Sequence, residues 1–436
     1  MLQQLQLRVG IVGAGLGGLA AAIGIARVGH KVTVLEQASA LGEVGAGIQI
    51  PPNSSRILKR WDLLDKVEAV SVRPGDFILR SYRDGKILSR QNVFPYTEEQ
   101  YGAPYLHVHR ADFHRILTEE AIRLGVEIQL DSTVVGVDFQ KPSVFVKGKP
   151  EFVADVVIGA DGLKSVCREL LLGRQDPPHL TGDLAYRIIV KADDMRNHAE
   201  LKALVEKPCI NYWMGPDSHA VCYLLQGGSL YNIVLIRPDN LPETVNKARA
   251  DLQEMRDFFK GWDPRLRALL DLVQETSKWR LQNSEEMLTW SHPNGRFVLL
   301  GDACHATLPY LAQGAAQAVE DGAVLGALFE KVQEKSQLPD LLVIYEAIRK
   351  ARTTQVVKGS TSLRDIFHMH DGPQQQERDR QLSEQEPFEG FPNRWADPVF
   401  QPFLFGYDAY VEAYRAWRAY LNGRFPGTAG RFRTHL

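Results

Sequence analysis

The sequence predicts a doubly wound α/β core that is interrupted by an antiparallel β-sheet. Three observations support this prediction: an apolar run at 9–12 leads into a glycine-rich turn, similar runs recur at 153–159 and 297–300, and segment 181–236 is rich in β-forming residues. Apolar runs without alternation are typical of parallel strands that are buried on both faces. We therefore expect one parallel sheet to be assembled from distant parts of the chain.

The first apolar run ends in a glycine pattern that is typical of dinucleotide binding. Gly13, Gly15 and Gly18 have the G-x-G-x-x-G spacing, and a second apolar run ends at Glu36 within one βαβ length. These glycines are expected to allow the tight turn, the approach of a pyrophosphate and close helix packing, respectively. The helix N-terminus would face the phosphates. Glu36 would bind a ribose diol and repel a 2′-phosphate, which favours FAD or NAD over NADP; the alternative is a glycine-tolerant turn without a ligand.

Composition excludes several classes of protein. The 436 residues exceed the usual size of one domain, and 44% hydrophobic with 24% charged residues is typical of globular proteins. Lys+Arg 51 against Asp+Glu 53 leaves a net charge of −2, so neither nucleic acid nor membrane is expected as a partner. Four cysteines are scattered without a metal-like or disulfide-like pattern. This favours a reducing, cytoplasmic compartment and predicts no metal site.

Helical patterns follow the predicted turns and recur later in the chain. They cover 16–28, 111–124, 313–332 and 250–272.

The last part of the chain contains two contrasting segments. Segment 371–394 is rich in Gln, Glu, Asp, Arg and Pro, which predicts a solvated loop or linker. Segment 395–422 is unusually aromatic, so we expect it to pack onto the main body. The alternative for this aromatic segment is a contact surface for a second subunit.

The second and third apolar runs also lead into turns that carry an aspartate. Asp161 lies in an Ala-Asp-Gly turn, and Asp302 follows Gly301. Asp161 is expected either to hold a cofactor hydroxyl or to cap the helix that follows. After Asp302 the chain turns at Pro309, and small residues open a long helix at 314–315.

These three motifs, in this order, resemble those of the group A FAD-dependent aromatic hydroxylases, the p-hydroxybenzoate hydroxylase class. Within that class the chain is most similar to salicylate hydroxylase-like monooxygenases, including fungal ones, over about residues 8–360. The resemblance implies a Rossmann-like FAD-binding core of the GR2 type, an inserted antiparallel substrate domain and a helical, aromatic C-terminal extension. The implied divisions are 1–180 for FAD binding with a substrate-side excursion near 75–105, 181–285 for substrate, 286–365 for FAD binding, and 366–436 for the extension.

The resemblance also implies one tightly bound FAD and a set of ligands for it. Gly314 and Ala315 would present N–H groups to the flavin and stabilise the anion formed on its reduction. Arg110, at a helix start, would reach the diphosphate or ribityl chain; a surface arginine at a helix end is the alternative. The remaining implied ligands lie in the glycine turn, in segment 43–47 and in the two aspartate turns: Gly13, Gly15, Gly18, Glu36, Ala46, Gly47, Asp161 and Asp302.

The chemistry of the family implies two further reactants. The chain has one glycine motif, so NADH or NADPH is expected as a transient co-substrate. Reaction with O2 would form a flavin C4a-hydroperoxide that hydroxylates a phenolic or salicylate-like ring, with or without loss of carbon dioxide. The alternatives are a same-fold enzyme that acts on an indole or isoprenoid, and a non-catalytic flavin protein. A monomer or a homodimer is compatible with the sequence.

Candidate substrate residues lie in the β-rich segment. Arg187 resembles an arginine on the family's pocket strand, although Ile188 replaces the usual glycine. Strand alternation sends Tyr186 and Arg187 to opposite faces, and we expect Arg187 to face the flavin and bind a carboxylate or phenolate. An edge-strand salt bridge is the alternative.

A second group of candidates lies farther along the chain. Tyr223 matches a pocket tyrosine of related phenol hydroxylases that orients or deprotonates the substrate. His219 would transfer protons if it shares a strand face with Tyr223; for both, a structural role is the alternative. Pro309 would place its carbonyl group near the reactive side of the flavin, and His305 is expected to organise the Gly-Asp loop. Trp213 and Met214 are expected either to form pocket wall or to pack in the core.

Overall fold

The computed structural model describes residues 5–42 and 46–425. Glu43, Val44 and Gly45, which belong to the predicted cofactor-binding segment, lie outside the described residues. The strands are β1 Arg8–Val12, β2 Lys31–Leu35, β3 Gly47–Ile50, β4 Asp76–Ser81, β5 Ile87–Asn92, β6 Leu106–His109, β7 Glu127–Gln129, β8 Val134–Asp138, β9 Ser143–Val146, β10 Phe152–Val153, β11 Val156–Gly159, β12 His179–Lys191, β13 Cys209–Gly215, β14 Ser218–Leu225, β15 Leu230–Pro238, β16 Lys247–Arg249, β17 Ser277–Asn283 and β18 Phe297–Leu299.

The helices follow in the same chain order, and short 3₁₀ turns are left out of their numbering. They are α1 Leu16–Ala26, α2 Pro52–Arg60, α3 Leu64–Glu68, α4 Tyr96–Tyr101, α5 Arg110–Arg123, α6 Val166–Leu172, α7 Ala192–Arg196, α8 Lys202–Glu206, α9 Leu252–Phe258, α10 Pro264–Asp271, α11 Asp302–His305, α12 Gly314–Phe329, α13 Leu338–Phe367, α14 Pro373–Glu384, α15 Phe400–Phe405 and α16 Ala409–Leu421. No helix in the described part of the chain combines the length and the apolar character that a membrane-crossing segment needs.

A five-stranded parallel sheet is the first of the two large sheets of the fold. Its strand order is β18-β11-β1-β2-β7, and every neighbouring pair is parallel. The three apolar runs of the sequence therefore lie side by side, as predicted. Each of these strands carries fully buried residues such as Ile11, Ile158 and Val298, because helices cover the sheet and leave its middle strands no solvated face.

A second sheet of eight strands is mostly antiparallel. Its order is β16-β17-β12-β15-β14-β13-β4-β5, which confirms the antiparallel sheet predicted for 181–236. Strands β4 and β5 come from the early part of the chain and join this sheet at one edge. The domain divisions at 180, 285 and 365 stay predictions.

The two faces of the eight-stranded sheet belong to different cores. Tyr186 and Ile188 pack with the residues of α9 and α10, including Met255 and Phe259. The opposite face, which carries Tyr223, packs against α13, α15 and the loop after α11. Because this second face packs against α13, α15 and the loop after α11, which follow the parallel sheet in the fold, we call it the inner face.

Helices α1 and α12 lie parallel and in very close contact. A Cβ atom at Gly322 would lie 2.5 Å from the backbone carbon of Ala20, and one at Gly24 would lie 2.5 Å from the carbonyl oxygen of Gly322. The next pair in register is Gly24 with Gly326, where the built Cβ would lie 2.6 Å from the Gly24 oxygen. The small residues predicted to permit close approach therefore bring the N-termini of both helices to the same edge of the parallel sheet.

Two sequence predictions for the helices are wrong in detail. Segment 371–394 does not form only a loop, because α14 occupies much of it and buries Arg378 and Leu382. A proline at the helix start and one apolar residue in contact with the inner-face core are enough to order this polar segment. The single helix predicted at 250–272 is two helices, since Asp263 ends the first segment and caps α10 by accepting a hydrogen bond from the Arg265 N–H group.

The aromatic segment packs onto the main body, as predicted. Trp395, Phe405 and Trp417 are almost completely buried. The Tyr410 hydroxyl oxygen accepts a hydrogen bond from the Trp61 indole N–H group at 2.7 Å, and the Tyr414 hydroxyl donates to Glu330 at 2.6 Å.

A buried network of charges ties α12 to α13. Arg349 donates to Asp321 at 2.6 Å and also binds Glu320, while Arg352 donates twice to Glu320 at 2.7 Å. Burial opposes ionisation of Glu320, but the charges of Arg352 and Arg349 hold its pKa below the ordinary value. Asn53 of α2 completes the network with a hydrogen bond to Glu320 at 2.6 Å.

Removal of one member should destabilise the protein because a charge would be left unpaired in the interior. We expect Arg349→Met to lower the free energy of unfolding by about 3–5 kcal/mol. Arg380→Met is the matched control: Arg380 also pairs with two carboxylates, but it is exposed, so its loss should leave the unfolding midpoint nearly unchanged. Chemical denaturation of the three proteins tests this, and equal midpoints for both variants would contradict it.

Candidate functional site

The glycine turn after β1 has the geometry that the sequence predicts. Gly13 has a φ of 102°, and a Cβ atom there would lie 2.6 Å from the carbonyl oxygen of Ala160. A Cβ atom at Gly18 would lie 2.0 Å from the Gly13 oxygen. At Gly15, in contrast, a Cβ atom would meet no described atom within 4 Å. The backbone at Gly15 is therefore the part of the turn that a ligand can approach.

Two helix N-termini border this turn without a side-chain cap. The residue before α1 is Gly15, which has no side chain, and the side chain of Gln313 before α12 makes no capping hydrogen bond. Gly314 and Ala315 are partly exposed, and a Cβ atom at Gly314 would meet no described atom within 4 Å. Their N–H groups and the helix dipoles are thus directed at space where negative charge is stabilised.

Glu36 lies at the end of β2, beside the glycine turn. One carboxylate oxygen accepts a hydrogen bond from the Ala14 N–H group at 2.7 Å, and the other accepts from Ala38 at 2.8 Å. Each carboxylate oxygen can accept a second hydrogen bond. Glu36 is therefore held in place with capacity for the two hydroxyl groups of a ribose.

The two aspartate turns differ. Asp161 accepts hydrogen bonds from the Ser165 hydroxyl and from the Cys167 N–H group, the latter at 2.9 Å. Ser165 is the residue that caps α6, so Asp161 supports the start of this helix from outside it. Its predicted contact with a cofactor hydroxyl stays a prediction. Asp302 is exposed, yet the protein around it raises the pKa of its carboxyl group by desolvation, against the charges of His305 and Arg110. A carboxyl group that solvent can reach but that protein surrounds is expected on the floor of a cleft. The charge of Arg110 acts on this carboxyl group, so Arg110 lies near the same cleft.

Ala46 and Gly47 connect this cleft to the eight-stranded sheet. The Ala46 carbonyl oxygen accepts a hydrogen bond from the Arg110 N–H group at 3.2 Å. The Gly47 N–H group donates to Asn232 at 2.9 Å, and a Cβ atom at Gly47 would lie 2.8 Å from the Tyr223 hydroxyl oxygen. The chain thus passes directly between the predicted cofactor residues and the predicted substrate residues.

Arg187 and Tyr186 lie on opposite faces of β12, as strand alternation requires. Tyr186 is buried with α9 and α10, whereas Arg187 lies on the inner face and is exposed. The guanidinium of Arg187 stacks 5.5 Å from the Trp279 ring centroid. Its charge also acts on Tyr223, where it partly offsets the effect of burial on the hydroxyl group.

Arg187 belongs to a row of three cations on strands β12 and β16, which lie on either side of β17. Arg249 and Arg187 are both paired with Ser277, and Lys247 is paired with Trp279. Paired residues share a face, so all three cations lie on the inner face. The Lys247 ammonium group lies 4.1 Å from the Trp279 ring centroid. The open end of the inner face is therefore positively charged and has an aromatic ring in its centre.

Tyr223 belongs to a cluster that sequence reasoning missed. Gln49 accepts a hydrogen bond from the Tyr105 hydroxyl at 2.6 Å. It also lies close enough to Tyr212 and Tyr223 to oppose the rise that burial causes in the pKa of each. The ring of His107 lies 4.3 Å from that of Tyr223. Burial raises the pKa of Tyr223 well above the ordinary value, so its hydroxyl remains protonated. The signal for Gln49 in the sequence is a lone amide two residues after Gly47 in an apolar strand.

His219 shares the inner face with Tyr223, because β14 pairs with both neighbours without a register shift. Its ring is buried, and its Nδ1 lies 2.8 Å from Nε2 of His368. Burial lowers the pKa of His219 far below the ordinary value, with further contributions from His368 and Arg364, so the ring is neutral at physiological pH. Sequence reasoning missed His368, which lies at the end of α13.

The remaining candidates take distinct positions. Pro309 is exposed, and its carbonyl oxygen accepts a hydrogen bond from Ala312 at 3.1 Å. His305 binds Asp321 at 2.6 Å and so fixes the loop to α12, as expected. Met214 belongs to the inner face, whereas Trp213 lies on the opposite face and donates to Asp263 at 2.6 Å; the core alternative therefore holds for Trp213.

These features fit an extended FAD molecule. The uncapped N-termini and the open backbone at Gly15 suit its diphosphate, Glu36 suits its adenosine ribose, and the Gly314–Ala315 N–H groups suit its flavin. The described residues contain no group of three or more His, Cys, Asp or Glu side chains that could hold a metal ion.

Comparisons with known proteins agree with this geometry. A model of the FAD binding domain family matches residues 6–360. An FAD-dependent monooxygenase of Beauveria bassiana, OpS4, is 44% identical over 93% of this chain and 96% of its own length. A 3-hydroxybenzoate 6-hydroxylase of Polaromonas naphthalenivorans is 34% identical over 83% of this chain and 88% of its own length.

Among solved structures, a salicylate hydroxylase in complex with substrate has a TM-score of 0.79. It is 24% identical and covers 94% of this chain and 98% of its own. This likeness shows the shared fold. The family match and the curated relatives show that the chain is an FAD-dependent monooxygenase of the aromatic hydroxylase type and belongs to the FAD binding domain family.

Proposed function

We propose that the enzyme hydroxylates a phenolic aromatic acid, with NADH or NADPH as the electron donor and O2 as the oxygen donor. The observation that carries this proposal is the arrangement on the inner face, where Arg187 and Tyr223 interact electrostatically and Tyr223 lies against Gly47 of the cofactor segment. An anion-binding group and a hydroxyl group thus lie beside the cleft that suits a flavin.

The cationic row supports an anionic substrate. Arg187 and Lys247 lie over the Trp279 ring at the open end of the inner face, and Arg249 lies on the same face next to them. A guanidinium group binds a carboxylate through two parallel hydrogen bonds, and Trp279 offers a surface on which an aromatic ring can stack. The names of two similar proteins, a 3-hydroxybenzoate hydroxylase and a salicylate hydroxylase, point to the same substrate class.

The roles of the pocket side chains follow from their ionisation. Tyr223 stays protonated, so its hydroxyl orients the ring hydroxyl of the substrate by a hydrogen bond rather than removing its proton. His219 lies on the same face and its neutral ring has a free lone pair, so we assign it as the group that receives this proton. The charge that forms on the imidazole is offset by the phenolate beside it, and a phenolate attacks an electrophilic oxygen more readily than a phenol does.

The protein's other tasks are binding and exclusion of water. Bound FAD supplies the redox chemistry, since it takes electrons from the nicotinamide and activates O2 for transfer of one oxygen atom. Glu36, Arg110, Asp302 and the N–H groups of Gly314 and Ala315 would hold it, and the exposed turn at Pro309 would lie next to it. The aromatic core of the inner face keeps bulk water from the reacting atoms.

The state of the cysteines bears on the compartment in which the enzyme works. All four cysteines are free, which favours a reducing, cytoplasmic compartment.

Loss of the substrate carboxyl group as carbon dioxide, rather than simple hydroxylation, would require the hydroxylated carbon to be the one that carries the carboxylate. Hydroxylation of an indole or isoprenoid is disfavoured by the cationic row, because such substrates lack an anion for it to bind.

A screen of phenolic acids tests the reaction itself. We expect the purified protein to be yellow, to release FAD on denaturation, and to oxidise NADH or NADPH faster when a phenolic acid is present. Product mass distinguishes gain of one oxygen atom from replacement of a carboxyl group by a hydroxyl group. Acceleration by neutral indoles or isoprenoids, and by no phenolic acid, would contradict the proposal.

Arg187 can be tested through the substrate's carboxylate. Arg187→Ala should raise KM for the aromatic acid by about tenfold or more, because a charge-assisted hydrogen bond contributes about 1.5–3 kcal/mol. FAD content should stay unchanged, and Arg187→Lys should recover part of the loss. Arg196→Ala, an exposed arginine on α7, is the control, and KM values equal to those of the parent enzyme would remove Arg187 from the site.

Tyr223 can be tested by removal of its hydroxyl group. Tyr223→Phe should lower kcat by about tenfold or more, since a hydrogen bond to the reacting hydroxyl contributes on the order of 1.4 kcal/mol. The pH profile between about 6 and 9 should keep its shape, because Tyr223 does not ionise there. Tyr186→Phe, on the other face of the sheet, should leave kcat unchanged; an equal loss in both variants would indicate a structural effect.

A further inference from the structure

The pair formed by His219 and His368 lies at the junction of two parts of the fold. His219 belongs to the inner face of the eight-stranded sheet, and His368 caps the end of α13, beyond the region that the family model covers. The two rings are buried, and their centroids lie 5.1 Å apart. The His219 ring also lies 5.4 Å from that of Tyr310, which follows Pro309 in the turn beside the cofactor cleft.

The surroundings keep both rings neutral. Burial lowers the pKa of His368 to about 4; the nearby carboxylates of Asp183 and Asp217 oppose this shift, and Arg364 reinforces it. Asp183 itself forms an ion pair with Arg364 and accepts a hydrogen bond from the Tyr310 hydroxyl at 2.6 Å. The charged and titratable groups that face the pair are therefore Asp183, Asp217, Tyr310 and Arg364, together with the Tyr212 ring stacked on His219.

The chemistry of imidazole links the two nitrogens of His219. A neutral ring carries hydrogen on one nitrogen and a lone pair on the other. If Nδ1 donates to Nε2 of His368, then Nε2 of His219 points away from His368 and has a lone pair that can accept a proton. When Nε2 gains a proton, the Nδ1 hydrogen stays in place and its hydrogen bond to His368 strengthens because the donor is charged.

We propose that His368 is a positioning residue that holds His219 with the Nε2 lone pair turned toward the ring hydroxyl of the substrate. This inference rests on the proposed hydroxylation of a phenolic acid. In the step it serves, the substrate O–H bond breaks, an N–H bond forms at Nε2 of His219, and the electron pair stays on the phenolate oxygen. The C-terminal extension, through His368, thereby completes the active site.

Two polar variants of different reach test the inference. The amide of Gln extends as many bonds beyond Cβ as Nε2 of His does, whereas the amide of Asn is one bond shorter. We expect His368→Asn to lower kcat by about tenfold or more, equivalent to about 1.4 kcal/mol, and to leave KM and FAD content nearly unchanged. His368→Gln should restore most of the activity. His370→Gln is the matched control, because His370 is an exposed histidine two residues away.

A spectroscopic titration separates positioning from a general structural effect. The holoenzyme is saturated with 3-hydroxy-4-nitrobenzoate, whose phenol changes its absorbance on ionisation. In the parent enzyme the bound phenol should ionise at lower pH than in solution, and His368→Asn should shift its pKa upward by about one unit. His368→Gln and His370→Gln should behave like the parent enzyme. An unchanged titration in His368→Asn would overturn the inference.

A double-mutant cycle completes the test. If His368 acts only through His219, then His368→Asn should have no further effect on the titration in a His219→Gln background. Additive effects would overturn the inference. Because the titration needs no turnover, a parent enzyme that hydroxylates no phenolic acid but shows the coupled titration would refute the proposed function and leave the histidine pair standing.

Discussion

The close parallel contact of α1 and α12 is the constraint on which the cofactor cleft depends. Glycines on both helices let backbone meet backbone, with built Cβ atoms only 2.5 Å from the opposite chain. This contact places two uncapped helix N-termini at one edge of the parallel sheet. One N-terminus follows the first glycine motif and the other follows the Gly-Asp turn, so segments about 300 residues apart in sequence lie together at the proposed cofactor site.

The buried charges join α12 to α13 on the far side of this contact. Glu320 and Asp321 lie on α12, and their partners Arg349 and Arg352 lie on α13. Arg352 also donates to the carbonyl oxygens of Phe403 and Leu404, which connects the network to the C-terminal extension. Such a network contributes less to stability than its distances suggest, because desolvation of four charges offsets the attraction. Its effect is to specify how α2, α13 and α15 pack around α12.

The same extension reaches the other side of the site. The end of α13 brings His368 to the inner face of the eight-stranded sheet, where burial keeps the histidine pair neutral. In the proposed site, helix N-termini form the cofactor side and one sheet face forms the substrate side. Gly47 and the turn after α11 lie where the two sides meet.

By itself, the sequence determined the parallel sheet, the glycine turn and the antiparallel insertion, because apolar periodicity and glycine spacing are local properties. Strand alternation also separated Arg187 from Tyr186. Only the tertiary structure decided which distant polar groups meet: Gln49 with Tyr105, His219 with His368, and Arg187 with Lys247 and Trp279. These contacts depend on packing between elements, and no local pattern encodes them. The helix at 373–384 shows the same limit, since its polar composition predicts a loop, whereas Leu382 packs in the inner-face core and Arg378 donates to the Ile366 carbonyl oxygen.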